Sequence, residues 1–219
     1  MAAVLELSKP KLTKNEVLYG VSWEMYDELV ADNRNSQFPR LTYDSGILEI
    51  TMSNSLQHEE DSRNLAALFE QIAVELEVNF RRSGSTTFRR KNISKGFEPD
   101  SCFYIQSLEK IVGKEDLNSE VDPPPDLIIE INKTSSPRQR MPIFAAFGVA
   151  EVWRFTKKQV KFYVLREGVY LEAKMSLALP ILASEQATDF LLDARTMSST
   201  AWAKLLRNWI ASAKIDWVK

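Results

Sequence analysis

The sequence is poor in the residues that staple or ligate. One cysteine, Cys102, excludes an internal disulfide and a multi-cysteine zinc site, and fits a reducing compartment. One histidine, His58, cannot build a zinc centre by itself. Only seven glycines occur in 219 residues, without repeats or low-complexity stretches, which excludes collagen-like and linker-like chains. No run approaches the roughly 20 consecutive apolar residues that span a bilayer, so the expectation is a soluble protein with no membrane partner. The start, MAAVLELSKPKLTKNE, lacks the basic head, apolar stretch and small-residue cleavage site of a secretory signal, and the expected location is cytoplasmic. A formal net charge of −2 excludes a protein that coats nucleic acid through a global basic excess, though a local basic patch can still hold a backbone.

What is present suits one sizeable core: 44% of the residues are hydrophobic and 26% charged. Residues 1–14 read as a flexible arm, and 15–219 as a single mixed α/β domain. Ser22 is placed to cap a short helix over SWEMYDELVADN. RLTYDSGILEITM alternates about Asp44-Ser45-Gly46, which predicts a hairpin. Leu65, Leu68, Phe69, Ile72 and Leu76 recur at helical spacing, predicting a long helix from a cap at Ser55. NFRRSGSTTFRRK reads as a second hairpin turning at Ser83-Gly84-Ser85, followed by strands in PDSCFYIQ and PPPDLIIEIN. A short helix starts near Pro142, AEVWRF and VKFYVL are strands, and the tail from Asp189 is helical. The tail's stripe of Trp202, Leu205, Leu206, Trp209 and Ala213 suits packing or a dimer contact.

Three groups of residues can carry chemistry. Side chains alternate along a strand, so Asp126, Ile128, Glu130 and Asn132 share one face, and Asp100, Cys102 and Tyr104 share a face of the neighbouring segment. Two acids converging from two strands suit Mg²⁺ or Mn²⁺, which can activate water and stabilise charge on a phosphate under attack. The plainer reading is that such acids cap helices or pair with arginines. His58, followed by Glu59, Glu60 and Asp61, opens the long helix: the acids complement its dipole, or else Glu59 or Glu60 adds a metal ligand and His58 contacts phosphate or water. Finally, Arg81, Arg82, Arg89, Arg90, Lys91 and Lys95 sit with interleaved phenylalanines beside Asp100. They form either a DNA-backbone contact or a solvated hairpin paired with its own acids.

Taken in order, GILEITMSNSLQHEE, RRSGSTTFRRKNISKGFEPDSCFYI and DPPPDLIIEI, then SSP and PIFAAFGVAEVW, resemble the Uma family of restriction-endonuclease-like proteins. This cyanobacteria-rich family was long catalogued as a domain of unknown function, and the resemblance runs from about residue 20 to 210. It implies the restriction-endonuclease-like fold of the PD-(D/E)xK nuclease superfamily, a central mixed β-sheet flanked by helices, here with an N-terminal hairpin and a C-terminal helical tail. It also implies a metal site made by Asp100 and Glu130, with Asp126 as an outer partner, and a function in hydrolysing DNA phosphodiester bonds.

The chain departs from that pattern. Asn132 stands where the superfamily places a lysine, and Lys133 should point to the other strand face. In relatives the lysine comes from the next helix, in a stretch resembling DKLPIYAALGV, where this chain has Gln139-Arg140. Arg140 keeps a positive charge for clamping phosphate but does not readily lose a proton to activate water. Beside a dimeric scaffold built on the tryptophan-bearing tail, which explains the aromatic stripe but not the acids, two hypotheses follow. One is a Mg²⁺- or Mn²⁺-dependent endonuclease using Asp100, Glu130, Arg140, His58 and Glu59, acting on DNA as a homodimer. The other is a nuclease-fold protein that has lost catalysis and binds nucleic acid or a protein partner.

Overall fold

The computed structural model describes residues 15–33, 39–52, 55–132, 140–156 and 158–217, apart from the side chains of Asn15, Asn132 and 214–217. The expected arm over 1–14, and the positions of Lys133 and Gln139, lie outside the described residues.

The chain begins with β1 (Asn15–Tyr19) and α1 (Trp23–Asp32), where Ser22 accepts a hydrogen bond from the Met25 N–H at 3.1 Å, as its type and place predict. The hairpin of β2 (Arg40–Asp44) and β3 (Ile47–Thr51) turns through Ser45 and Gly46, at φ +50° and +90°. Two successive left-handed residues match the twist of a tight hairpin. The long helix α2 (Leu56–Glu75) follows its Ser55 cap. Of its predicted apolar stripe, Leu65, Leu68, Phe69 and Ile72 are fully buried, and Leu76, at the helix end, is partly buried.

The 81–95 segment is not one hairpin. β4 (Arg81–Arg82) pairs with β7 (Ser101–Tyr104), whereas β5 (Phe88–Arg90) pairs with β6 (Lys95–Phe97). The aromatics explain the division. Phe80 packs edge-on to Phe69 in the core beneath α2, at 5.3 Å between ring centroids, while Phe88 stacks on Phe97 at 5.2 Å in a second core. Burial of two large rings in different cores outweighs the local turn signal.

Next come β8 (Leu127–Asn132), α3 (Met141–Phe147), β9 (Glu151–Thr156), β10 (Gln159–Arg166) and β11 (Val169–Ala173). Gly148, at φ +84°, ends α3 in the left-handed conformation that glycine adopts without strain. The helical tail is two helices, α4 (Ser184–Ala194) and α5 (Ser199–Trp217), and Trp202 and Leu206 enter the core that α2 also lines. Packing is therefore what that stripe does.

The strands form a five-stranded sheet, β1-β3-β2-β6-β5, and a six-stranded sheet, β11-β10-β9-β8-β7-β4. The second is mixed, since β8 and β9 run parallel and their neighbours antiparallel. Alternation on β8 sends Leu127, Ile129 and Ile131 into the core against α2, and Ile128 into the opposite core with α3.

Candidate active site

The two sheets and two helix starts converge on one group of charged side chains. Asp100 immediately precedes β7, and Glu130 lies in β8. The register pairing Ser101 with Ile129 sets them beside each other. Asp100 Oδ2 accepts the backbone N–H of Ile131 at 2.8 Å, so the carboxylate continues the ladder where β7 stops. His58, in the first turn of α2, brings Nε2 to 3.3 Å from the same oxygen, and Arg40, at the start of β2, donates to Oδ1. Arg140, at the start of α3, lies 3.5 Å from Glu130 Oε2 through Nη1 and 3.4 Å from Glu49 Oε2 through Nε. It also donates from Nη2 to Thr51 at 3.5 Å.

Burial sets the electrostatics. Burial and the neighbouring Asp100 charge push the Glu130 carboxyl up to about 7, with Arg140 opposing. Burial also disfavours ionised Asp100, but the hydrogen bond and charge of His58, then Arg40 and the Ile131 N–H, outweigh it and hold that carboxyl below its ordinary value. In return, Asp100 raises His58 against the opposing effect of burial. Two adjacent acids thus diverge, one kept ionised and one titrating near neutrality, a pattern found where acid–base chemistry is done.

The structure brings together Asp100, Glu130, Arg140 and His58. Glu59 is set apart: its side chain is 39% exposed and lies 3.7 Å from His58 Nδ1 rather than on the two acids. Asp126 is not an outer partner of the site. Its carboxylate accepts from the N–H groups of Ile105 and Ser107 at 2.7 and 2.9 Å and from the Ser107 hydroxyl, locking the turn after β7.

The basic residues are engaged elsewhere. Arg81 donates to the carbonyls of Ile111 and Lys114, and Arg90 to those of Ser119, Asp122 and Phe147. Arg82, Arg89, Lys91 and Lys95 pair with Glu70, Asp27, Glu24 and Asp44. Their partners lie on other elements rather than on the segment itself, and the residues are divided between the two sheets.

Glu49 and Arg40 were not singled out in the sequence. Glu49 carried a usable signal: Leu48-Glu49-Ile50 sets an acid between apolar neighbours as Ile129-Glu130-Ile131 does. Arg40 carried none, because only the approach of the two sheets gives it Asp100.

A cleft of about 380 Å³ reaches the site, lined among others by Asp100, Arg40, Arg63, Glu59 and Ser85. Among the described residues, no three His, Cys, Asp or Glu side chains are grouped to hold a metal ion. No described helix is long and apolar enough to cross a membrane.

Comparison with known proteins agrees with this architecture. One solved structure, described as "a putative nuclease belonging to DUF820" from Anabaena variabilis ATCC 29413, matches with a TM-score of 0.53 and 14% identity, covering 78% of this chain and 99% of that one. No curated protein matches the chain in sequence. The family model described as "Putative restriction endonuclease" matches residues 23–195, so the chain belongs to the Uma2 family.

Proposed function

We propose that the chain is an endonuclease that hydrolyses DNA phosphodiester bonds at the Asp100–Glu130 centre, with Mg²⁺ or Mn²⁺ as its cofactor. The observation that carries this reading is the meeting of two buried carboxylates on adjacent strands, with Glu130 Oε1 left without a hydrogen-bond partner. A buried acceptor without a donor is costly, and a hard cation satisfies it. The donor set fits such an ion, because Mg²⁺ is commonly held by one or two carboxylates and completes its shell with water and substrate phosphate. When bound, the ion would lower the pKa of water and stabilise charge on the phosphate.

The chain's own residues supply the rest. Arg40 and the Ile131 N–H fix the orientation of Asp100, and His58 holds a proton against its Oδ2. Arg40 and Arg63 line the cleft, where a phosphate backbone would meet positive charge. Asn132 stands where the superfamily pattern has a lysine, and Arg140, 3.5 Å from Glu130 Oε2, supplies positive charge there but does not readily take a proton from water.

The test is cleavage of supercoiled plasmid with Mg²⁺ or Mn²⁺ by wild type, Asp100→Ala and Glu130→Ala, with circular dichroism to verify folding. Metal-dependent nicking that disappears in both variants is expected. A folded wild type without cleavage would sink the reading and favour a nuclease-fold protein that binds without cutting. The pairing of Arg40 and Arg140 with the acids favours that second reading.

A further inference from the structure

β11 (Val169–Ala173) ends the six-stranded sheet, with β10 on one side and no described strand on the other. Alternate backbone N–H and C=O groups of such a strand face outward, open to a further strand. Exposed edges are commonly blunted by lysine, proline or a bulge, and β11 has none of these. Its one charged residue, Glu172, is paired with Lys161 of β10 at 2.8 Å.

The register sets Leu171 and Ala173 opposite Val164 and Phe162 of β10, on the face whose core α4 also enters through Phe190 and Leu191. Along that face the cover runs out. Val164 is 7% exposed, but Leu171 beside it is 56% exposed and Val169 59%. An uncovered apolar strip therefore reaches the open edge of the sheet, as in surfaces that accept an added strand.

The strand is complementary to a second copy of itself. Antiparallel pairing about a two-fold axis normal to the sheet keeps like faces together. Centred on Leu171, it pairs every residue of β11: Leu171 with Leu171, Val169 with Ala173, and Tyr170 with Glu172. The apolar row then crosses the junction unbroken. At each end the exposed Lys174, just past the strand, comes beside the exposed Glu167 in the turn of the other copy, opposite in charge. Centring on Glu172 would instead set that carboxylate against itself and leave Val169 unpaired. A two-fold pairing uses up both edges and closes at two, whereas β4 offers only Arg81–Arg82 for a head-to-tail contact.

We infer that β11 is a self-association surface, through which two copies of the chain pair antiparallel about Leu171 into one continuous sheet. The pairing is independent of whether the Asp100–Glu130 centre cuts DNA.

In sedimentation equilibrium of the full chain, the mass should rise from 25.1 kDa toward twice that value as concentration increases. Leu171→Lys sets two ammonium groups against each other across the axis and should stay at the monomer mass. Oxidation by diamide, which joins two thiols as a disulfide, reads the register. Leu171→Cys should cross-link, because Cβ atoms directly across two strands lie about 4.5–5.5 Å apart. Val169→Cys should not, because its two copies are offset along the strands by about 13 Å. Cys102, the native thiol, is buried. Circular dichroism verifies folding of each variant. A wild type that remains at the monomer mass overturns the inference and leaves the edge to an extended segment of another protein. Dimers that survive L171K, or cross-linking of V169C as ready as that of L171C, overturn it as well.

Discussion

Glu130 makes stability depend on pH in a direction opposite to most carboxylates. Its carboxyl rises from an ordinary 4.5 to about 7, through burial first and the Asp100 charge second. Between those values the folded chain holds a proton that the unfolded chain has released, so stability falls as pH rises from about 4.5 to about 7. Glu130→Gln removes that dependence. In metal-free buffer, E130Q should gain about 1–3 kcal/mol on wild type between pH 5 and pH 8, measured by urea unfolding at each pH. A constant difference across that range would contradict the placement of Glu130. Asp100 works the other way: its lowered carboxyl contributes stability above its unfolded value, which is lost as pH falls through the folded one. Both acids were legible in the sequence because strand alternation fixes the face of a residue from its neighbours. The charge of one and the near-neutral titration of the other were not, since the first comes from His58 and Arg40, distant in sequence, and the second from burial and the Asp100 charge.

At the scale of elements, α2 must be held in register for His58 to reach Asp100. The helix is tied to the end of α4 by Asp61, fully buried, which takes Arg195 in a two-pronged pair at 2.9 and 2.8 Å and a further bond from Gln57. Arg195 also lies over the Phe155 ring, at 5.2 Å. Removing the arginine takes the two-pronged cation from a buried carboxylate, whereas removing the acid leaves a cation that is 24% exposed. Arg195→Met should therefore cost about 3 kcal/mol or more, and Asp61→Asn less, in urea unfolding of the two variants. The reverse order would mean that the pair does not anchor α2. The Ser22 and Ser55 caps, the β2–β3 turn and the burial of α2 followed from local residue types, because their partners lie within a few positions. The division of the 81–95 segment did not, since its turn residues are sound and only the cores that receive Phe80 and Phe88 separate the strands.

At the scale of the whole molecule, the basic residues of the 81–95 segment are engaged by other parts of the fold. The basic residues from Arg81 to Lys95 donate to carbonyls or pair with acids, while Arg63 is exposed at the cleft leading to Asp100. In binding to a duplex, Arg63→Ala should weaken affinity and lessen the slope of log K against log salt by about 1, whereas R82A and K91A should leave the slope unchanged. Titration across a salt series by fluorescence anisotropy decides it, and a loss of slope in R82A or K91A would return the interface to the basic segment. The mixed sheet and flanking helices could be read from strand and helix periodicity together with the family resemblance. The five-stranded sheet's contribution of Arg40 to the site could not, because no local pattern records how two sheets approach, and for Glu49 the local pattern marked an embedded acid but not its partners. That approach makes the candidate site a fault line. Arg40 joins β2 to Asp100 and Arg140 joins β3 to β8, so the side chains of the candidate site are also clasps between the two sheets. A substitution that frees these arginines loosens the seam, and one that tightens the seam withholds them. The proposed chemistry and the cohesion of the two sheets therefore draw on the same residues.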